Sequence, residues 1–155
     1  MNEKNKTGMV DRILRHLLAA FLLLGGCAEP QGFRQPEDGL EAAREFIRAT
    51  LDGDYGKAEM YVARDEQDLE LYGRWREHMR RQPEKERLGL KSSTILIESV
   101  ETPNDSLTIV RYSNSFHREP TRIVAARRNG VWGIRFRETM TGASAAGSDS
   151  IPPKP

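Results

Sequence analysis

Asn129-Gly130 separates two runs rich in alternating and β-branched residues, RIVAARR before it and VWGIRFRE after it. A two-residue type I′ turn needs positive φ at both central positions, which Asn-Gly supplies at low steric cost, so a β-hairpin is expected here. The turn also sets the register: Arg127 opposes Trp132, Ala125 opposes Ile134 and Ile123 opposes Phe136, and these six share the face expected to be core. On the other face Arg122 should oppose Arg137, Val124 should oppose Arg135, and Arg128 should lie beside Val131. Arg122, Arg128, Arg135 and Arg137 would then stand on one sheet surface, although like charges directly opposite each other are destabilising. Upstream, LKSSTILIESV (90–100) and SLTIVRYSN (106–114) read as two more strands, with Thr102-Pro103-Asn104-Asp105 as their turn.

The first half of the domain reads as helix. Asp38 with Glu41 three residues on resembles a capping box, and Leu40, Ala43, Phe46, Ile47, Thr50 and Leu51 follow as one apolar stripe. Gly53 ends that helix by taking a left-handed conformation, and Asp54 caps a short second one carrying Tyr55, Ala58, Tyr61 and Val62. A third starts near Asp65 and places Leu69, Tyr72, Trp75 or Arg76, and Met79 on one face before Pro83 stops it. The fold class is therefore α+β: three N-terminal helices packed on a curved antiparallel sheet of about four strands.

With 155 residues the chain supports one small domain, expected over 37–139. Its 24 Lys+Arg against 23 Asp+Glu argue against a strongly basic nucleic-acid binder, and one Cys excludes a disulfide framework or a CxxC metal knuckle. Residues 28–36 have linker composition, and the small, polar, Pro-terminated stretch 140–155 is expected to be disordered.

Residues 1–26 divide into a basic leader with Lys4, Lys6, Arg12 and Arg15, an apolar run from Leu17 to Leu24, and Gly25-Gly26 before Cys27. Eight apolar residues make a helix of about 12 Å, too short for a bilayer core of about 30 Å but suited to a signal peptide. Leu24-Gly25-Gly26-Cys27 resembles the lipobox of bacterial lipoproteins, with Gly25 where Ala or Ser is commoner. The resemblance implies a diacylglycerol and an N-acyl chain on Cys27, hence a protein anchored to a membrane without spanning it. Ala28 stands where Asp would resemble an inner-membrane retention signal, which favours the outer membrane. Loss of the signal leaves 20 basic against 21 acidic residues, a net charge of about −1.

The segment LEAAREFIRATLDGDYGKAEMYV, with Gly53-Asp54 between its two helices, resembles the opening of NTF2-like (cystatin-like roll) lipoproteins of the DUF4878 type. That resemblance implies a cone-shaped cavity between helices and sheet and an extracytoplasmic setting; it implies no catalytic residue. Tyr72, Trp75, Tyr112, Trp132 and Phe136 are the candidates for lining such a cavity, with core packing as the alternative. Tyr112 and His78 are the candidates for acid–base chemistry, but no spacing forces a shifted pKa on either. His16, His78 and His117 have no metal-ligand spacing, and phosphate-loop and GxSxG motifs are absent, so no cofactor is expected.

Charge is asymmetric along the chain. Residues 37–86 carry 14 acidic against 9 basic side chains, a net of −5, whereas 111–137 carry 7 Arg against Glu119 alone, a net of +6. The arginine face is expected either to bind carboxylate or phosphate groups of lipid heads or cell-wall peptides, or to be neutralised by helix carboxylates or a second copy. The expected role is a non-enzymatic envelope module that binds a small ligand, a peptide or an envelope partner, the alternatives being an isomerase or hydrolase of this fold and a dimeric scaffold using the sheet face. Because a thioether requires sulfur, Cys27→Ser should abolish labelling by a fatty-acid analogue and leave the precursor uncleaved. Unchanged labelling would refute the anchor.

Overall fold

The computed structural model describes residues 33–146. Helix α1 (Gly39–Asp52) starts where Asp38 Oδ1 accepts the N–H of Glu41 at 2.7 Å, and ends at Gly53, whose φ of 76° turns its N–H back onto the Ala49 and Thr50 carbonyls. Its buried face includes Ala43, Phe46, Ile47, Thr50 and Leu51 of the expected stripe and adds Ala42 and Ala49, while Leu40 is only half-buried. Gly39 lets the first turn touch the sheet: a Cβ there would lie 2.3 Å from Thr108 Oγ1. Helix α2 (Tyr55–Met60) is capped by Asp54, and α3 (Glu66–Arg80) by Asp65, as expected. Tyr61 is the C-cap of α2, still in the right-handed helical region, and Val62 leaves the helix to form a β-bridge with Ile134 rather than continuing it.

Pro83 stops α3 but also opens a fourth helix, α4 (Glu84–Lys91), which the sequence reading did not separate from the first strand. Glu84 and Glu86 in its first turn and Lys91 in its last complement the helix dipole. The loop after the second strand docks on α4: Phe116 lies so close to Gly89 that a Cβ there would meet the ring at 2.4 Å, and His117 pairs with Glu86.

The sheet is an antiparallel meander, β1 (Ile95–Asn104), β2 (Leu107–Asn114), β3 (Thr121–Arg128) and β4 (Val131–Ile134), in that spatial order. Strand β1 starts five residues later than expected and runs through the expected turn, which closes instead at Asp105-Ser106. Its register with β2 shifts between Ile97 and Ser99 and again between Glu101 and Asn104; such irregularities blunt an edge strand against pairing with other chains. Thr108, Val110 and Tyr112 of β2 and Ile123 and Ala125 of β3 face the helices as cross-strand neighbours, and all are buried.

The largest departure follows β4. Ala125 pairs with Ile134 and Arg127 with Trp132 as expected, but Ile123 and Phe136 are not strand partners, because β4 ends at Ile134 and a fifth helix, α5 (Phe136–Ala146), begins. The helix takes over the hydrogen bonding that the strand gives up. Arg135 N–H still donates to Val124 O at 2.9 Å, and the Val124 N–H finds the buried Thr139 hydroxyl of α5 at 3.1 Å. Arg137 therefore sits on a helix and does not oppose Arg122, which instead faces Arg111 across β2 and β3. Residues 140–146, expected as the start of a disordered tail, continue this helix. The signal segment 1–26, Cys27, linker residues 28–32 and the tail from 147 lie outside the described residues.

Phe136 remains in the core by a different route. As the first residue of α5 it is 0% exposed, with its ring centroid 5.3 Å from Tyr72, 5.6 Å from Trp75 and 6.1 Å from Phe46. Phe136→Ala should therefore cost about 3 to 5 kcal/mol of stability, as a large-to-small core change. The measurement is the denaturant midpoint of the purified protein, and an unchanged midpoint would refute this packing.

Candidate functional site

The hairpin turn has the geometry that its sequence demands, with φ of 52° at Asn129 and 80° at Gly130. It brings Arg127 opposite Trp132, and the guanidinium carbon sits 5.6 Å from the ring centroid, a cation–π contact. Arg128, the next residue, projects from the other face of the strand. Beyond β4, Arg135 and Arg137 follow at the start of α5, where the Arg137 N–H donates to Asp68 Oδ1 at 2.7 Å. These elements line an open groove of about 470 Å³, whose charged residues are Arg127, Arg128, Arg135 and Arg137 together with Asp65 and Asp68.

Three of the four arginines singled out from the sequence thus meet in one place. Arg122 does not join them: its guanidinium lies beneath α5, donating to Glu138 O at 3.3 Å and packing so close to Gly142 that a Cβ there would be 2.6 Å away. Arg127 joins instead. Sequence pairing assigned it to the Trp132 ring; its place at the strand end, where the sheet face gives way to the turn, lets the same side chain border the groove.

The carboxylates of the groove are already engaged with backbone donors. Asp65 Oδ1 accepts from Gln67 N at 3.1 Å and Asp68 N at 3.4 Å, capping α3, while the buried Asp68 takes the Arg137 N–H. Arg135 pairs with Glu138 at 2.6 Å, and Arg137 reaches Gln67. Among the described residues Arg127 and Arg128 have no acidic partner within 4 Å. Planar guanidinium forks of this kind match carboxylate and phosphate oxygens.

The aromatic candidates pack on one another. Tyr72 and Phe136 belong to the core cluster, with Trp75 packed against it, and their rings occupy the space between α1, α3 and α5. Tyr112 is buried under the helices on β2, and Trp132 alone of the five also borders surface grooves, one beside Phe33 and one beside Asp38. These residues are core-forming because the helix stripe and the sheet rows converge on them. His78 is on the exposed side of α3, 2.8 Å from the Gln82 amide.

Among the described residues no group of three or more His, Cys, Asp or Glu side chains could hold a metal ion, and no helix is long and apolar enough to cross a membrane. No protein-family model matches this sequence, and no curated protein matches it either.

Burial raises the pKa of all four tyrosines above the ordinary value near 10. Desolvation takes Tyr112 up to about 12, against a weaker opposing hydrogen bond from Thr121. Tyr72 is raised further, first by burial and then by Glu59, and its hydroxyl donates to Tyr55 O at 2.7 Å. Each phenol holds its proton more firmly folded than unfolded. The associated stability is whole below pH 10 and is lost as pH rises through the folded values. In an alkaline titration, the Tyr72 and Tyr112 phenolates should appear only well above the ordinary value near 10; ionisation of either near pH 10 in an intact fold would contradict this burial.

Proposed function

We propose that the chain is an extracytoplasmic lipoprotein of the bacterial envelope, anchored through Cys27, with the outer membrane favoured by Ala28, and that it binds carboxylate or phosphate groups without catalysis. The observation that carries the binding role is the convergence of Arg127, Arg128, Arg135 and Arg137 on one groove, where only Arg135 has an acidic side-chain partner among the described residues. The anchor rests on Leu24-Gly25-Gly26-Cys27 after a short apolar run. A binding rather than acid–base role is favoured by the environment of the two catalytic candidates. Tyr112 keeps its proton up to about 12, and His78 stands on an exposed helix face.

The architecture is read as a variant of the NTF2-like roll. In favour are α1 and α2 joined through Gly53-Asp54, and a four-stranded meander packed on α1; α4 and the terminal α5 are additions to the expected plan.

The test is calorimetric titration of the purified protein with pyrophosphate and with an acidic peptide bearing two free carboxylates. Binding should weaken with salt, since exposed charges are screened within about 8 to 10 Å at physiological ionic strength. Arg128→Ala and Arg135→Ala should each reduce affinity by roughly ten-fold or more, the worth of a charged hydrogen bond. Arg122→Ala should change it little, because that side chain lies outside the groove. Equal binding by all variants, or none by the wild type, would overturn the reading.

A further inference from the structure

A second groove, of about 420 Å³, adjoins the arginine groove and shares Ala63, Asp65, Ala126 and Arg128 with it. It has a different character. Three of the exposed large apolar side chains, Phe33 at 37%, Met60 at 37% and Val131 at 49%, gather around it, and Phe33 is propped there by the Tyr61 ring at 5.2 Å. They come from three separate parts of the chain: the segment before α1, the end of α2, and the first residue of β4. Arg64 and Arg128 flank them, both exposed and both without an acidic partner within 4 Å among the described residues.

Exposed apolar side chains ringed by cations suit a surface that is apolar just below a layer of anionic groups, which is the chemistry of a bilayer with acidic headgroups. The covalent tether selects the same end of the domain. Phe33 is six residues after Cys27, and six residues reach about 20 Å even when fully extended. We propose that Phe33, Met60 and Val131, with Arg64 and Arg128, form the face by which the domain rests on the membrane that holds its anchor. This rests on the lipid-anchor reading. Two or more acyl chains already hold the protein stably. The face therefore sets orientation, and it turns the shared Arg128 edge of the arginine groove towards the headgroup layer.

The lone cysteine makes the test direct. If Cys27 is a thioether, Val131→Cys supplies the only free thiol, and Leu88→Cys on α4 and Val100→Cys on β1 supply controls at exposed positions elsewhere. Each variant of the full lipidated protein carries a polarity-sensitive fluorophore and is reconstituted in vesicles of phosphatidylglycerol and phosphatidylcholine. Only the label at position 131 should shift to the blue and resist an aqueous quencher. Arg64→Glu and Met60→Ser should each reverse this, and charge reversal should weaken the interaction by more than the roughly five-fold expected for one arginine at an anionic surface.

Equal shielding at 131, 88 and 100, or shielding at 131 unaffected by either substitution, would overturn the membrane face. So would shielding at 131 that rises with the protein-to-lipid ratio, which would mark a contact between copies of the chain. The anchor fails separately: a free Cys27 thiol in the wild type would refute lipidation, and a vesicle-dependent shift at 131 in a Cys27→Ser background would still support the face. The face also stands apart from anion capture in the neighbouring groove, since neither Arg64 nor Met60 borders that groove.

Discussion

Ile134 donates its N–H to the Tyr61 carbonyl at 2.8 Å and accepts the Ala63 N–H at 2.9 Å, while its neighbours on the other side pair with β3. The four-residue strand β4 is thus held on both edges at its C-terminal end, by β3 and, at Ile134, by the short segment between α2 and α3. Gly133 permits the approach, since a Cβ there would lie 2.9 Å from Ala63 Cα. This junction fixes the start of α3 against the end of the sheet. The capped carboxylates of Asp65 and Asp68 then line the arginine groove together with the residues after β4.

Charge asymmetry in the sequence becomes a division of labour in the fold. Five helical acids pair with helical bases: Asp52 with Arg48, Glu70 with Arg74 and Glu77 with Arg80 along single helices, and Glu45 with Lys57 and Glu59 with Arg76 between helices. The pairs that are largely exposed contribute little stability each. Their consequence is compositional. None of these carboxylates reaches Arg127 or Arg128 at the hairpin end, and of the four groove arginines only Arg135 pairs with a carboxylate, that of Glu138 three residues on.

Much of this fold was legible from local rules. Asp38, Asp54 and Asp65 cap the helices they were expected to cap, Gly53 ends α1, and Asn129-Gly130 sets the register of β3 with β4. The reading went astray where a local pattern had two solutions. Alternation from Val131 to Phe136 suits a six-residue strand, but Phe136 reaches the same core from the first turn of a helix, and sequence periodicity cannot separate a short strand from a strand followed by a helix start. The same error carried Arg137 to the wrong face and hid its approach to Asp68. Small residues in 140–146 pointed to disorder because composition does not reveal that Thr139 answers an unpaired N–H of the sheet, or that Gly142 leaves room for Arg122.

Helix α5 also guards against promiscuous association. Strand β3 is longer than β4, and past the last paired residues the Val124 N–H points towards the open side, where Thr139 meets it. An exposed row of such groups is a template for another chain's backbone. Proteolysis within the first turn of α5 would uncover that template and the Phe136 pocket together, converting a self-contained sheet into one with a sticky seam. Cleavage beyond Ala146 would leave the seam closed, so the helix marks how far the chain can be trimmed before solubility, rather than folding alone, is at stake.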